Sequence, residues 1–389
     1  MEVNGGAELQ CRQFAEKLAA MGKYDIEVLT TRAIDYASWK DEYRKGAESL
    51  NGVPVRRFSV NRPRVQKRFD RITRKVYGGN ASLEEEERWM REQGPYSGSL
   101  FRYIRAHKDD YDVFVFFTYL YATTYFGLME TADKAVLVPD AHDEPPIYLK
   151  IFRKVFSAPR AIFYNTAEEQ RFVQKLFHNE GIYDNGGRGG VGVDIPQGFS
   201  AERFRQKYHL DGFMLYIGRI DENKGCRELF RYFEEYRRRN AGTLKLVLMG
   251  KAQMEIPAGG DIISLGYVSD EDKFGGLAAC KLLILPSRYE SLSMVVLEAM
   301  QLGIPVLVNG KSPVLKGHCR RSNGGLYYGS YAEFEGCINY LLEHPAEYRA
   351  MGENGHAYVS AGYSWDAVMD SFLDVVGRVA ELNKEHCNE

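Results

Sequence analysis

The sequence is poor in cysteine, and no two cysteines have the spacing of a metal-binding or redox pair. Six occur among 389 residues, none of them as C-x-x-C, and no histidine cluster accompanies them. Few, scattered thiols argue against a disulfide framework and indicate reduced cysteines in a cytosolic protein. They are Cys11, Cys226, Cys280, Cys319, Cys337 and Cys387.

The sequence also lacks a charge imbalance, a leader segment and a long apolar run. Its formal net charge is −2, so no global charge indicates a nucleic-acid partner. No signal peptide opens the chain. The uncharged stretch 113–129 is short for a membrane span and carries threonine and tyrosine in its second half. It predicts a buried strand over residues 113–117, followed by a loop and a helix.

What the sequence does contain is a regular alternation of apolar strands and amphipathic helices. Its length suggests two domains of about 150–200 residues each. Runs such as FMLYIGR, LKLVLMG and LLILPS predict parallel strands covered by helices on both faces. The composition changes near residues 193–203, where we place the linker. The prediction is an α/β protein with two Rossmann-like, doubly wound domains facing a cleft, over residues 1–195 and 196–370, and a C-terminal helix and tail over 371–389.

The chain opens on a glycine pair rather than on a strand. Gly5 and Gly6 lead into a run of helical periodicity that Gly22 ends. In a βαβ unit such a glycine loop follows a strand. We therefore expect the first strand of this domain to be missing from the chain, because of a misplaced or truncated start.

Residues 56–75 form a basic segment, with nine arginines or lysines and one acidic residue, Asp70. A charge run of this kind is most often a solvated face. The alternative is a patch that meets an anionic membrane surface or a lipid-phosphate acceptor. Nucleic acid is a weaker alternative, because few aromatic residues are interleaved with the charges.

A candidate diphosphate site follows the strand that ends at Ile217. Gly218 permits close backbone approach, and Arg219 and Lys224 come before a helix that starts near Gly225. Ligands of open α/β sheets bind at the carboxyl ends of strands, and these two cations suit a diphosphate. Two solvated loop cations are the alternative.

Two glutamates with seven residues between them follow the strand LLILPS. Glu290 lies in a loop, and the amides of Leu292, Ser293 and Met294 would lie at the N-terminus of the next helix, a typical anion site. Glu298 lies inside that mostly apolar helix, where a carboxylate needs a partner. A sugar diol or a structural arginine would satisfy it equally well.

His142 follows another predicted strand, in the segment DAHDEPP. Its position at the carboxyl end of a strand suits a functional site. Adjacent His, Asp and Glu side chains point in different directions and no second histidine is near, which argues against a metal site.

Six segments in this order resemble glycosyltransferase family 4, whose members have the two-domain GT-B fold. They are NGGAE, AHDEPP, NTAEEQ, GVGVDI, YIGRIDENKG and PSRYESLSMVVLEAM, and they cover residues 5 to about 375. The resemblance implies retaining transfer of a sugar from a nucleotide-sugar, with no metal and no other cofactor. It also implies that the last helix, after Trp365, packs back on the first domain.

The resemblance also implies a role for each matching residue. Arg219 and Lys224 would hold the diphosphate and stabilise the leaving group. Glu290 would face the hydroxyls of the donor sugar, and Glu298 would accept from the ribose. His142 would touch the donor sugar or assist at the reacting face, and Gly5 and Gly6 would line the floor near the phosphates and the acceptor. The remaining donor contacts would come from Gly218, Val268, Ser291, Leu292, Ser293 and Met294. Many family members have Phe-Gly where Leu292 and Ser293 stand, so the sugar contacts should differ here.

The expected function is transfer of a sugar to a glycan or lipid-linked acceptor in surface polysaccharide or lipopolysaccharide biosynthesis. A sugar-nucleotide epimerase or hydrolase on the same fold, and an inactive nucleotide-binding partner protein, are the alternatives. The expected location is the cytoplasm, with peripheral contact at the inner face of the cell membrane through residues 56–75 as a further hypothesis. No nucleic-acid partner is expected.

Overall fold

The computed structural model describes residues 5–387, with side chains as far as Lys384. The chain divides into two compact units, residues 1–188 with 371–389 (unit 1) and residues 189–370 (unit 2). The expectation of a missing first strand concerns residues before Gly5 and lies outside the described residues.

The described residues of unit 1 form two sheets. Strands β1 (Val28–Thr31), β2 (Gly46–Leu50) and β3 (Val53–Phe58) form one sheet in the order β1-β3-β2. Strands β4 (Phe114–Phe117), β5 (Ala135–Val138), β6 (Ala161–Ile162) and β7 (Tyr183–Asp184) form a parallel sheet in chain order. The helices are α1 (Gly6–Met21), α2 (Gln66–Tyr77), α3 (Leu83–Gln93), α4 (Gly98–His107), α5 (Ala122–Glu130), α6 (Ile151–Ser157) and α7 (Ala167–Phe177).

The uncharged stretch in unit 1 folds as the sequence predicts. Strand β4 is followed by a loop and by helix α5, most of whose residues are buried against the rest of the unit. Among the described helices, none combines the length and the apolar character that crossing a bilayer requires.

The β2–β3 hairpin is an element that the sequence analysis missed. Asn51 and Gly52 both have positive φ, 50° and 82°, as the turn of a two-residue hairpin requires. Arg57 in β3 is 7% exposed and forms an ion pair with Glu48 across the hairpin. The basic segment 56–75 is therefore not one solvated face, because its first residues belong to a strand and only the later ones form helix α2.

Unit 2 contains one parallel sheet. Its strands are β8 (Phe213–Ile217), β9 (Lys245–Met249), β10 (Ile262–Gly266), β11 (Leu282–Leu285), β12 (Val306–Asn309) and β13 (Gly325–Tyr328), in the order β10-β9-β8-β11-β12-β13. Its helices are α8 (Ala201–Tyr208), α9 (Cys226–Arg239), α10 (Asp270–Ala279), α11 (Met294–Gln301), α12 (Pro313–Ser322), α13 (Tyr331–Glu343) and α14 (Pro345–Gly362).

The unit 2 sheet has the strand order of a doubly wound fold. Strands β11 and β12 are buried at every residue, which is why they read as continuous apolar runs. From β8, the strands β9 and β10 follow on one side, and β11, β12 and β13 follow on the other side. The direction in which the chain adds strands therefore reverses between β8 and β11. Ligands of such sheets bind outside the carboxyl ends of the strands at this point.

Helix α15 (Trp365–Cys387) closes the chain. Its residues from Ser371 onward belong to unit 1. There Ser371 donates a hydrogen bond to the carbonyl of Arg188, and Tyr183 donates one to Asp374. The ring of Phe372 packs edge-on against Phe14 of α1.

Candidate nucleotide-sugar site

The two predicted cations lie in the loop between β8 and α9. Gly218 has φ +150°, and its amide hydrogen-bonds the carbonyl of Met249 on the neighbouring strand. Arg219 is half exposed, and its Nε lies 3.7 Å from Oδ2 of Asp221. The Asp221 carboxylate also accepts from the backbone amide of Lys224. Asp221 therefore fixes the loop that carries both cations.

A close backbone approach brings this loop against the loop that follows β11. Gly225 has φ +79°, and a Cβ at this position would lie 2.6 Å from the carbonyl oxygen of Pro286. Only glycine fits this position without displacing the backbone. The result is that Lys224 Nζ lies 2.7 Å from Oε1 of Glu290, so the structure brings together two residues predicted for one site.

The N-terminus of α11 follows Glu290. Ser293 is the residue that caps this helix, but its side chain makes no capping hydrogen bond, and its φ of 73° is in the left-handed region. That region favours glycine, which gives a physical reason for the glycine that the resemblance predicts here. Leu292 is 5% exposed, and Met294 is the first residue of the helix.

Glu298 has one satisfied oxygen and one unsatisfied oxygen. Its Oε1 lies 2.7 Å from Nζ of Lys273 on α10, so the structural partner is a lysine and not an arginine. The side chain is 10% exposed, and Oε2 is buried with no hydrogen-bond partner among the described residues. Burial raises the pKa of Glu298, an effect that Lys273 opposes. A ligand that donates a hydroxyl hydrogen bond would satisfy the remaining oxygen.

Lys273 is a residue that the sequence analysis missed. It lies in a helix with an acidic first turn, Asp270, Glu271 and Asp272. In the sequence, Lys273 therefore looks like a surface lysine that offsets these negative charges. Its contact with Glu298 joins positions 25 residues apart. The polar signal available in the sequence was Glu298 alone.

Val268 follows β10 at the outer end of the same sheet. It is half-buried, and the preceding Tyr267 is 69% exposed. Their position after the carboxyl end of a strand suits a selectivity surface.

Three predicted residues lie in unit 1. Gly5 caps the N-terminus of α1, and a Cβ there would overlap the Glu8 carboxylate, while Gly6 is exposed. His142 lies in the loop after β5, and its Nε2 is 3.6 Å from Oε2 of Glu144. Glu144 also accepts from the hydroxyl of Tyr119 at 2.7 Å. His142 is therefore held beside a carboxylate at the carboxyl end of a strand.

A buried polar network beside this loop was missed by the sequence analysis. Asn165 donates to Asp140 at 2.7 Å and accepts from Gln10 of α1 at 2.8 Å. Glu169 accepts from the amides of Ala141 and Asn165. Glu169 and Asn165 lie in the segment NTAEEQ, and Asp140 directly precedes AHDEPP, but the resemblance did not single out the two carboxyls.

Asp140 is the unusual member of this network. Its φ is 51°, and its Oδ2 is buried with no hydrogen-bond partner among the described residues. Burial raises the pKa of Asp140 to about 7, the nearby Glu8 raises it further, and the bond from Asn165 opposes the rise. A carboxyl held in this state titrates near neutral pH.

Within the part of the chain that the structure describes, no three His, Cys, Asp or Glu side chains are arranged to hold a metal ion. The two predicted cations, Arg219 and Lys224, both follow the carboxyl end of β8.

Comparison with known proteins shows sequence similarity to glycosyltransferases. The family model described as "Glycosyl transferases group 1" matches residues 200–358, which lie in unit 2. Over 114 residues the chain is 34% identical to the O-antigen chain mannosyltransferase B of Escherichia coli, and this covers 26% of the chain and 30% of that protein. Over 191 residues it is 27% identical to the alpha-D-kanosaminyltransferase of Streptomyces kanamyceticus, which covers 44% and 47%. The chain thus matches less than half the length of each.

Solved structures extend the likeness to the whole fold. The sucrose-phosphate synthase of Thermosynechococcus elongatus superposes with a TM-score of 0.69 at 16% identity, over 99% of this chain and 94% of that chain. The alpha,alpha-trehalose 6-phosphate synthase of Burkholderia multivorans superposes with a TM-score of 0.70 at 12% identity, over 99% of this chain and 95% of that chain. WaaG, a glycosyltransferase involved in lipopolysaccharide biosynthesis, superposes with a TM-score of 0.62 at 15% identity, over 96% of this chain and 97% of that chain. The protein has the GT-B fold, as the sequence predicted.

Proposed function

We propose that this protein is a retaining glycosyltransferase of family 4 that transfers a sugar from a nucleotide-sugar to a glycan or lipid-linked acceptor. The observation that carries the proposal is the arrangement in unit 2. There, Lys224 contacts Glu290 in the loop before α11, and Glu298 within α11 keeps a buried oxygen without a hydrogen-bond partner among the described residues. Cations, helix amides and an acceptor for a hydroxyl are what a nucleoside diphosphate requires.

In the proposed reaction, the bond between the sugar carbon and the phosphate oxygen breaks and its electron pair stays on the diphosphate. The acceptor hydroxyl forms the new bond to the sugar carbon, and its proton passes to the departing diphosphate. Arg219, Lys224 and the amides of Ser293 and Met294 stabilise the charge that develops on the diphosphate, because fixed dipoles and cations there need little reorganisation. Glu290 holds the sugar hydroxyls and Glu298 the ribose, while His142 contacts the donor sugar or assists at the reacting face.

The relatives support a role in glycan biosynthesis. One transfers mannose in O-antigen chains, and WaaG acts in lipopolysaccharide biosynthesis, by their names. A solved Anabaena protein with the same fold was crystallised with UDP and glucose. We propose a surface glycan as the product class. We also propose that no metal ion is needed, since Arg219 and Lys224 would neutralise the diphosphate.

A peripheral contact with an anionic membrane is a second part of the proposal. Helix α2 exposes Lys67, Arg71 and Arg74, which recur at the spacing of one helix face. Near them, Val65 and Tyr77 are 57% and 42% exposed. Exposed cations with apolar neighbours suit the surface of an anionic bilayer.

The first test is a calorimetric and thermal-shift screen of the full chain against UDP, GDP and ADP and their common sugars. We expect one nucleotide family to raise the melting temperature in proportion to the logarithm of its concentration above Kd. Transfer to an acceptor would then be measured with that donor. Donor turnover without an acceptor product would indicate an epimerase or hydrolase, and binding without turnover a partner protein. If the folded chain binds none of the nucleotides, the proposal is wrong.

A further inference from the structure

His318 is a fully buried histidine in unit 2 that the proposed reaction does not use. It lies in α12 and is 0% exposed, and both of its ring nitrogens have partners. Nε2 lies 2.9 Å from the carbonyl oxygen of Leu292, and Nδ1 lies 3.0 Å from the hydroxyl of Tyr358. A buried imidazole with two partners is fixed in position and in proton arrangement.

The partners determine which nitrogen carries the proton. A carbonyl oxygen only accepts, so Nε2 must donate to Leu292. Nδ1 then accepts from the hydroxyl of Tyr358, whose oxygen is approached by Nε of Arg321 at 3.2 Å and by the hydroxyl of Tyr363 at 3.2 Å. Burial lowers the pKa of His318 to about 3, and the charge of Arg321 lowers it further. The ring is therefore neutral at ordinary pH.

The carbonyl that His318 holds belongs to the peptide group that joins Leu292 to Ser293. That group is planar and trans, so its C=O and its N–H point in opposite directions. Fixing the carbonyl of Leu292 toward α12 aims the amide of Ser293 to the opposite side. This matters because Ser293 has φ 73° and no side-chain cap, so its own side chain does not fix the turn.

The far end of this chain of hydrogen bonds reaches the segment GVGVDI. The carbonyl of Tyr363 accepts from the amide of Val193 at 2.9 Å. Gly192 packs so closely on Trp365 that a Cβ would lie 2.3 Å from its ring. The segment thus supports Tyr363, which contacts Tyr358, which fixes the ring of His318.

We propose that His318 is a positioning residue for the donor diphosphate. As the neutral tautomer with the proton on Nε2, it holds the Leu292 carbonyl and so directs the Ser293 amide, and the following amide of Met294, toward the phosphates. The inference rests on the proposed function, because it places the phosphates at the N-terminus of α11.

The test compares His318→Leu, His318→Gln and Tyr358→Phe with wild type, and uses His344→Leu, an exposed histidine of the same unit, as the matched control. Each variant is checked for folding by circular dichroism and melting temperature. Kd is then measured for the nucleoside, which lacks phosphates, and for its diphosphate. KM and kcat are measured with the nucleotide-sugar.

We expect His318→Leu to bind the diphosphate about tenfold more weakly, with nucleoside affinity changed by less than about twofold, since a directed amide is lost. KM for the nucleotide-sugar should rise together with the Kd for the diphosphate. His318→Gln keeps a side-chain N–H and should lie within about threefold of wild type. If His318→Leu does not fold, Tyr358→Phe should show the same asymmetry at about threefold.

Equal loss of nucleoside and diphosphate affinity would indicate a merely structural role and overturn the inference, as would wild-type affinity in every folded variant. The tautomer is checked separately by the ¹⁵N shifts of the His318 ring, which are read with or without nucleotide. A proton on Nδ1 would overturn the inference while leaving the proposed function intact. A wild-type chain with the expected tautomer that binds no nucleotide would instead contradict the proposed function.

Discussion

Lys224 Nζ lies 2.7 Å from Oε1 of Glu290, although the two residues are 66 positions apart in the chain. The sequence analysis assigned them to different parts of the donor, the diphosphate and the sugar. Their contact means that one site holds both, and that a diphosphate bound as proposed would compete with Glu290 for the ammonium group of Lys224.

The first prediction is that Lys224→Ala lowers turnover by about 100-fold or more, because a fixed cation at the leaving group is lost. Arg219→Ala should lower it by a similar factor. The measurement is the initial rate of nucleotide diphosphate release. Lys281→Ala is the control, since Lys281 is exposed at the amino end of β11, away from the loops that carry the site. Near wild-type rates for Lys224→Ala would mean that the phosphates bind elsewhere.

The second prediction concerns the left-handed conformation of Ser293. Ser293→Gly should keep the fold and the nucleotide affinity, because glycine adopts φ 73° without the steric cost of about 1 kcal/mol that other residues carry. Ser293→Val should lower the melting temperature and the affinity together, since a β-branched residue fits this region worst. The melting temperature and the nucleotide Kd of both variants are measured by thermal unfolding and by calorimetry. A valine variant that binds as wild type does would refute the argument.

The third prediction is a pH dependence that involves Asp140. Its folded pKa of about 7 lies above the ordinary value, so between these values the folded state binds more protons than the unfolded state. This contribution to stability is fully present below the unfolded pKa of about 3.9 and is lost as the pH rises through 7.

Asp140→Asn keeps an acceptor for Asn165 and tolerates the left-handed backbone, but it does not titrate. We therefore expect the melting temperature of the variant minus that of wild type to increase from pH 5 to pH 8. Taking the difference cancels most of the other titrating groups, although Glu169 also has a raised pKa and lies nearby. A difference that stays flat or falls with pH would show that Asp140 is ionised throughout.

The fourth prediction is that Lys67→Gln, Arg71→Gln and Arg74→Gln together weaken binding to anionic vesicles, because each cation near such a surface contributes about 1 kcal/mol. Arg64 also lies in the basic segment 56–75, but it is left unchanged because it is half-buried and donates to the backbone carbonyls of Tyr36 and Gln93. A triple variant of the same charge, Arg102→Gln, Arg153→Gln and Lys175→Gln, is the control. Vesicle binding that does not change across a salt series would remove the membrane proposal.

The fifth prediction is that chelation leaves the reaction unchanged. Turnover after dialysis against EDTA should equal turnover before it, because Arg219 and Lys224 are proposed to neutralise the diphosphate. Adding back Mg²⁺ or Mn²⁺ is the control, and recovery of a lost rate by either ion would contradict the proposal.

The sequence predicted those parts of the fold that have a strong local signal. Strands β8 and β11 are continuous apolar runs between turns, and the structure confirms both. The β2–β3 hairpin was missed because Arg56 and Arg57 read as surface charge, although Arg57 is buried by its pairing with Glu48. Charge alone does not reveal which arginine has a partner.

The sequence predicts the charged residues of the site best where the side chain follows a strand within the same segment. Lys224 and Glu290 were found because each follows a strand, whereas Lys273 lies on a helix surface and contacts Glu298 only in three dimensions. The network of Gln10, Asn165 and Asp140 joins positions 155 residues apart, and no local pattern signals such a contact. His318 was missed for the same reason, because its partners Leu292 and Tyr358 are distant in sequence.

The fit between Gly225 and the carbonyl of Pro286 sets which positions can be varied when the donor preference is engineered. A library that randomises residue 225 would consist mostly of misfolded loops, because every side chain except hydrogen meets the backbone there. After β10, Tyr267 is exposed and Val268 is half-buried, so side chains of different sizes fit at these two positions. Diversity is better placed at 267 and 268, with residue 225 left unchanged.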